Sequence, residues 1–200
     1  MTDDTTPDRE EYERQVHEAF PEIDAIEDPD LREKTVEVWV RALDRGGWRD
    51  VGDVPHTHNI SELNTVDHLR GVYKVATAGA EVQEEFYGVD VDLDAVRVLA
   101  LVHDVGKCLE YTAHVDDDLL VDPDPRYAGD DVPHQLSGYA LAAEVGLPPE
   151  VTRGIPHGRY AIPGKTIEAA LIESANSVST NAMTMQAMGL TIEEWTEKHH

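Results

Sequence analysis

The stretch LALVHDVGK, residues 99–107, decides the fold of this chain. Four apolar residues run directly into His103 and Asp104, and Gly106 and Lys107 follow. The apolar run predicts a helix that is buried up to its end. A buried carboxylate is costly unless it is paired with a cation or binds a metal, so Asp104 requires a positively charged partner.

The lysine of this stretch is open to two interpretations. An ammonium beside two metal-capable groups suits an anionic substrate, in particular a phosphate. Lys107 can instead interact with the carbonyl groups at the C-terminus of the helix, after a sharp turn that Gly106 allows. We favour the substrate role because lysine is scarce in this chain and Lys107 stands beside the pair of metal-capable groups.

On either side of this stretch, apolar residues recur at helical spacing, and no long alternating run typical of a strand is present. Asp92 is placed to cap the helix that leads into the stretch, and Gly47 and Gly88 are placed to stop earlier helices. The predicted helices cover residues 11–20, 28–47, 61–88, 92–106, 133–147, 148–158, 164–189 and 191–200.

The composition is strongly acidic, with 41 Asp and Glu residues against 16 Lys and Arg residues and a net charge of −25. Such a charge argues against nucleic acid as a stable partner, because phosphate contacts need clustered basic side chains. A densely carboxylated surface suits a high-salt cytoplasm, where screening reduces self-repulsion, so we expect a halophilic source. The N-terminus lacks the basic start and apolar segment of a secretory signal, and no apolar run would span a bilayer. We therefore expect a cytoplasmic protein without membrane contact.

The length of 200 residues favours one main domain. We predict a disordered acidic N-terminus at residues 1–10, helices and a loop packed on the core at 11–60, the core itself at 61–182, and a C-terminal helix at 183–200. The single cysteine, Cys108, excludes an internal disulfide and is expected to be a small core residue.

Three further histidines have contexts similar to that of His103. His68 lies on a predicted helix among apolar positions, His134 at a helix start and His157 at a helix end. Helical proteins build metal sites in their cores from imidazole and carboxylate ligands of several helices. Each histidine taken singly is also compatible with an ordinary core or loop residue, so the hypothesis of a metal site depends on their order and spacing.

The order of these motifs resembles that of the HD-domain metal-dependent phosphohydrolases. The motifs are His68, HDVGK at residues 103–107, HQLSGYALAAEVGLPPEV at 134–151 and IPHG at 155–158. HDVGK is similar to the subgroup with His-Asp-Ile-Gly-Lys-type signatures. The resemblance implies an all-α, HD-domain-like bundle of roughly six to eight helices. It also implies one or two divalent metal ions, and hydrolysis of phosphomonoesters or phosphodiesters of nucleotide-like compounds.

The resemblance further implies a role for each matched residue. The implied metal ligands are His68, His103, Asp104, His134 and His157. The last two would hold a second metal ion, with Asp104 as a bridge between the ions. Asp104 and Lys107 would be catalytic, and Lys107 would stabilise charge that develops on the substrate. Without a thiolate ligand, the donor types do not choose among Mn, Fe, Co, Ni and Zn.

The chain departs from the family pattern at the last expected ligand, an aspartate on a later helix. In LIESANSV, Asn176 stands at that place, and it offers a neutral oxygen with one negative charge fewer. Glu173 lies one turn earlier on roughly the same face and is a possible substitute. The alternative to an enzyme is therefore a catalytically degenerate HD module that binds a nucleotide or a partner protein.

Other residues are weaker candidates for contact with a small phosphorylated substrate. His56 and His58 form a pair in the loop before the first core helix, where we favour ordinary loop residues over pocket residues. Arg70 follows His68 closely but is expected to lie on the surface. The remaining candidates form a local basic cluster around His157, namely Arg153, Arg159 and Lys165. The sequence leaves the substrate and the oligomeric state open.

Overall fold

The structure, a computed structural model, describes residues 7–57, 64–111, 132–163, 165–187, 189 and 191. The predictions for His58, for the first six residues of the disordered N-terminus and for the last helix beyond residue 191 lie outside these residues. The side chain of Arg159 is likewise outside the description. Within the described residues the chain forms helices and no strand, so the all-α prediction is confirmed.

The two N-terminal helices pack against each other, and the second of them packs on the core. Helix α1, Arg9–Ala19, begins two residues before the predicted start, because the Asp8 side chain accepts a hydrogen bond from the Glu11 backbone N–H. Helix α2, Pro29–Gly46, ends at Gly47, whose φ of 72° is the left-handed conformation that glycine favours. Trp39 of α2 donates a hydrogen bond from Nε1 to the Leu101 carbonyl at 3.0 Å, which fixes α2 against the core.

The centre of the fold is a pair of helices. Helix α3, Thr65–Tyr87, packs along α4, Leu93–Val102, and α4 is capped by the Asp92 side chain as predicted. The described residues contain no helix that is both long and apolar enough to cross a membrane.

The apolar end of α4 is buried as predicted, but the helix stops at Val102 rather than continuing to residue 106. Tighter hydrogen bonds follow, from the Val105 N–H to the Val102 carbonyl and from the Lys107 N–H to the Asp104 carbonyl. A short helix α5, Lys107–Glu110, begins directly after this turn. Lys107 therefore starts a new helix instead of ending the old one.

Gly106 allows close packing rather than an unusual backbone turn. The expected turn is present, but the Gly106 φ of −63° is an ordinary helical value that does not depend on glycine. A Cβ atom at this position would lie 2.0 Å from the His134 carbonyl oxygen. The absence of a side chain lets the turn after α4 touch the start of α6.

The remaining helices close the bundle. Helix α6 is His134–Val145, α7 is Pro149–Thr152 and α8 is Ile167–Ala187. The predicted helix at residues 148–158 is thus limited to one turn. Helix α8 packs on both α3 and α4, which brings its residues to the end of the bundle where the turn after α4 lies.

Candidate metal centre

Asp104 lies at the centre of the site and is 2% exposed. Its Oδ2 atom lies 3.5 Å from His68 Nε2 and 3.8 Å from His103 Nε2. Its Oδ1 atom lies 3.3 Å from His134 Nε2. The two oxygens of one carboxylate therefore face imidazoles on different sides.

Two groups of side chains could each hold a metal ion, and Asp104 belongs to both. The first triad is His56, His68 and Asp104, and the second triad is Asp104, His134 and His157. In each triad one donor atom per residue lies within 4.8 Å of the others. His103 lies between them, with its ring centroid 5.6 Å from that of His68 and 5.8 Å from that of His157. The structure brings together all four histidines and the aspartate that the sequence suggested as ligands.

Backbone carbonyls orient two of these imidazoles. His103 Nδ1 lies 3.1 Å from the Ala100 carbonyl oxygen, and His157 Nδ1 lies 2.9 Å from the Ile155 carbonyl oxygen. A hydrogen bond of this kind places the proton on Nδ1 and leaves a lone pair on Nε2. That is the state in which an imidazole binds a metal.

Several buried nitrogen and oxygen atoms of the site have no hydrogen-bond partner among the described residues. These atoms are Nδ1 and Nε2 of His68, Nε2 of His103 and Oδ1 of Asp104. Buried polar atoms without partners are rare and costly, so such a cluster needs an explanation. Imidazole nitrogens and a carboxylate oxygen are the ligands that divalent transition metals prefer, so the residues present fit such an ion.

The protonation states also suit a metal. Burial lowers the pKa of His68 to about 2 and the pKa of both His56 and His103 to about 4, so these rings are neutral near pH 7. Burial alone would raise the pKa of Asp104, but Lys107 and the neighbouring histidines hold it well below its usual value. The first triad and His103 thus combine neutral imidazoles with an ionised carboxylate. In the second triad, burial would lower the pKa of His134, but its hydrogen bonds with Asp104 and Glu110 raise it.

Lys107 is buried and faces the site. Its Nζ atom donates hydrogen bonds to Asp104 Oδ2 at 2.7 Å and to His56 Nδ1 at 2.8 Å. These are not contacts with the carbonyls at the end of α4, so that interpretation of Lys107 is wrong. The lysine is the cation that buried Asp104 requires in the absence of a metal.

Sequence reasoning undervalued His56, which is 7% exposed rather than an ordinary loop residue. The backbone explains its position, since Pro55 forms a bridge with Asn64 and the Thr65 N–H donates to the Val54 carbonyl at 2.9 Å. These bonds tie the loop to the start of α3, one turn before His68. The signal in the sequence was the pair of histidines in VPHTHN, just ahead of the first core helix.

Sequence reasoning missed Glu110 altogether. Its Oε2 atom lies 2.5 Å from His134 Nδ1, on the far side of the ring from Asp104. Burial would raise the pKa of Glu110, but the hydrogen bond with His134 lowers it below its usual value. A carboxylate behind a metal-binding histidine fixes the orientation of the ring. Its position three residues after Lys107 in HDVGKCLE was the available signal.

A cavity of about 410 Å³ opens beside the centre. Asn176 reaches it from α8, and its Oδ1 accepts a hydrogen bond from Thr180 Oγ1 at 3.0 Å. The cavity is lined by His56, Thr57, Asp104, Lys107, Tyr111, His134, Gln135, His157, Asn176, Thr180 and Thr184. Neutral hydrogen-bonding groups thus surround the charged residues.

The other candidates lie away from the cavity among the described residues. Glu173 forms an ion pair with Lys165 and accepts a hydrogen bond from the Gly158 N–H. Glu173 and Lys165 therefore contact each other rather than the centre. Arg70 forms an ion pair with Glu22 at 3.0 Å, in keeping with a surface role. Arg153 is exposed, and Cys108 is a fully buried core residue, as predicted, whose thiol pKa is raised by burial.

The fold and the centre together define an all-α protein with a His/Asp cluster able to hold divalent metal. The HD domain family model matches residues 65–188, and the chain belongs to this family. HD domains bind divalent metal ions, and the family is in general one of metal-dependent phosphohydrolases. No curated protein and no solved structure matches the chain. His56 lies ahead of the matched residues.

Proposed function

We propose that this protein is a metal-dependent phosphohydrolase that cleaves a phosphomonoester or phosphodiester of a small, nucleotide-like substrate. One observation carries the proposal. A buried and ionised carboxylate, Asp104, is shared by two triads of possible metal ligands and lies beside an open cavity. This arrangement suits a pair of metal ions that act on one phosphoryl group.

The proposed ligand sets are those that the resemblance to the HD-domain family implies, and the set for the second ion coincides with the triad of Asp104, His134 and His157. His68, His103 and Asp104 would hold a first ion, with the neutral oxygen of Asn176 as a further ligand. His134 and His157 would share the second ion with Asp104. When bound, Mn, Fe, Co, Ni or Zn would lower the pKa of a water and neutralise charge on the phosphoryl oxygens.

The chain's own residues supply binding and orientation. Glu110 and the backbone carbonyls hold the imidazoles in place, so that little reorganisation is needed during the reaction. Lys107 supplies a positive charge at the edge of the cavity, where it would stabilise charge on the substrate. Gln135, Asn176 and Thr180 line the same cavity and can donate hydrogen bonds to the remainder of the substrate.

The test begins with metal content. Elemental analysis of the purified chain should find about one to two transition metal ions per molecule. His103→Ala should abolish the binding, because it removes a ligand at the centre. His17→Ala, which removes an exposed histidine of α1, is the matched control and should bind as the parent does. Metal content near zero in the parent chain, even after reconstitution, would exclude the metal-dependent reaction.

A hydrolysis screen then separates an enzyme from a binding module. Nucleotides, cyclic nucleotides and simple phosphodiesters should be tested with each divalent metal in molar salt. Turnover that is lost in His103→Ala supports the enzyme. Full metal loading without turnover supports the degenerate binding module, which is the alternative favoured by asparagine in place of aspartate at position 176. In that case, Asn176→Asp should be tested for recovered activity.

A further inference from the structure

The segment ahead of the HD domain match contributes a buried imidazole to the first triad. The ring centroid of His56 lies 4.0 Å from that of His68, and its Nδ1 atom lies 4.0 Å from Asp104 Oδ2. Lys107 Nζ bridges these two atoms, at 2.8 Å from His56 Nδ1 and 2.7 Å from Asp104 Oδ2. The ammonium therefore occupies two of the three donors that the first triad offers to a cation.

The lysine also fixes the tautomer of His56. An ammonium group donates hydrogen bonds and cannot accept them, so Nδ1 of His56 carries a lone pair and the ring proton is on Nε2. A neutral imidazole has one such lone pair, and this lone pair is what binds a metal. His56 Nδ1 can therefore serve Lys107 or a metal ion, but not both at once.

His68 gives an independent reason to place a metal ion here. It is 0% exposed, and in the part of the chain that the structure describes neither of its ring nitrogens has a hydrogen-bond partner. Its Nε2 atom lies 3.5 Å from Asp104 Oδ2. Lys107 engages His56 Nδ1 and Asp104 Oδ2 but does not reach His68, whereas an ion bound by the whole triad would engage all three residues.

We propose that His56 is a ligand of the metal ion in the first triad, and that Lys107 occupies this ligand set until the ion displaces its ammonium. The displaced group stays within reach of substrate, because Lys107 lines the cavity. The proposal rests on the metal binding in the proposed function. It adds a ligand from outside the HD domain match and couples metal loading to the release of Lys107.

Both the role of His56 as a ligand and the displacement of Lys107 can be tested by titration with Co²⁺. The full chain is first freed of metal by a chelator, and binding is followed by calorimetry and by visible absorption. His56→Gln should weaken Co²⁺ binding by about ten- to a hundredfold and change the absorption spectrum. Lys107→Met should strengthen binding, because it removes the competing cation. His17→Gln and Lys74→Met make the same chemical changes at exposed positions and should leave the Co²⁺ affinity unchanged.

The double variant separates displacement from simple repulsion between two cations. If His56 Nδ1 is shared, the gain from Lys107→Met should be clearly smaller in the His56→Gln background than in the parent. An equal gain in both backgrounds would mean that Lys107 acts through space, and would overturn the exchange. A loss of affinity in Lys107→Met would overturn it as well.

A second substitution at position 56 tests the ligand role directly, even if His56→Gln fails to fold. His56→Cys should give a strong near-ultraviolet charge-transfer band with Co²⁺, since a thiolate at a ligand position binds the ion. The parent chain is the control, because Cys108 is fully buried. If the parent binds Co²⁺ but His56→Cys shows no such band, His56 is not a ligand. If the parent itself binds no Co²⁺, the proposed function fails too.

Discussion

At the scale of single residues, the chemistry of this protein centres on the charge of Asp104. Its carboxylate is buried yet ionised, because Lys107 and the surrounding histidines compensate for the loss of water. Burial keeps His68 and His103 neutral, so they can offer lone pairs. Burial would also lower the pKa of His134, but its hydrogen bonds with Asp104 and Glu110 raise it. A buried anion beside neutral imidazoles is the electrostatic pattern expected of a metal centre.

The clearest test of a single residue beyond the ligands is Glu110. Its hydrogen bond to His134 Nδ1 holds the ring that faces Asp104, so Glu110→Ala should weaken metal binding in the second triad by about ten- to a hundredfold. Glu110→Gln should lose less, because the amide oxygen still accepts the hydrogen bond. Titration of the metal-free chain with Co²⁺ measures both variants.

Glu150→Ala is the matched control for this series, since Glu150 is an exposed carboxylate on α7. It should bind Co²⁺ as the parent does. Equal affinities for Glu110→Ala and the parent would show that Glu110 does not position His134.

At the scale of elements, the site depends on the contact between the turn after α4 and the start of α6. A Cβ atom at Gly106 would lie 2.0 Å from the His134 carbonyl oxygen and 2.7 Å from the Gly138 backbone nitrogen. Both neighbours are backbone atoms, so they cannot move aside as a flexible side chain can. The close approach places His134 beside Asp104.

We therefore expect Gly106→Ala to lower the free energy of unfolding by about 1–3 kcal/mol or more, the cost typical of overpacking. The same change should weaken metal binding in the second triad, because α6 must shift. Chemical denaturation monitored by circular dichroism gives the first quantity, and Co²⁺ titration gives the second.

Gly71→Ala on α3 is the matched control, since among the described residues its Cβ would meet only Ser179 Oγ, at 3.8 Å. Alanine is favoured over glycine inside a helix by up to about 1 kcal/mol, so this variant should be as stable as the parent or more so. If the two alanine variants had the same stability, the contact between Gly106 and α6 would not be a constraint.

At the scale of the whole molecule, the dominant fact is the net charge of −25. The few basic side chains are largely engaged, as in the pairing of Arg41 and Arg45 with Glu144 at 2.9 and 2.5 Å. Exposed pairs of this kind contribute about 0–1 kcal/mol each, so they do not offset the repulsion among the excess carboxylates. Screening by salt should therefore stabilise the fold more than it weakens the pairs.

The expected result is a substantial rise in Tm between low and molar KCl, measured by differential scanning calorimetry on the metal-free chain. Sucrose is the control, because it favours burial of protein surface without screening charge. A Tm that rises with sucrose but ignores KCl would remove the argument for adaptation to high salt.

The sequence by itself determined the helical class and much of the centre's membership. Apolar spacing predicted α3 and the buried end of α4. As expected, α3 ends before Gly88 and α4 begins after Asp92. These features are readable because helix periodicity, caps and stops are set by residues within a few positions of one another. The candidate ligands were readable by residue type and order, since few side chains can bind a transition metal.

Only the tertiary structure decided how these residues meet. His56 joins the first triad through backbone bonds between its loop and α3, while Glu173 is engaged by Lys165 instead of the centre. The structure also decided that Lys107 bridges Asp104 and His56. Such contacts join segments from different parts of the chain. The spacing of residues within one segment does not predict which distant side chains will pack against it.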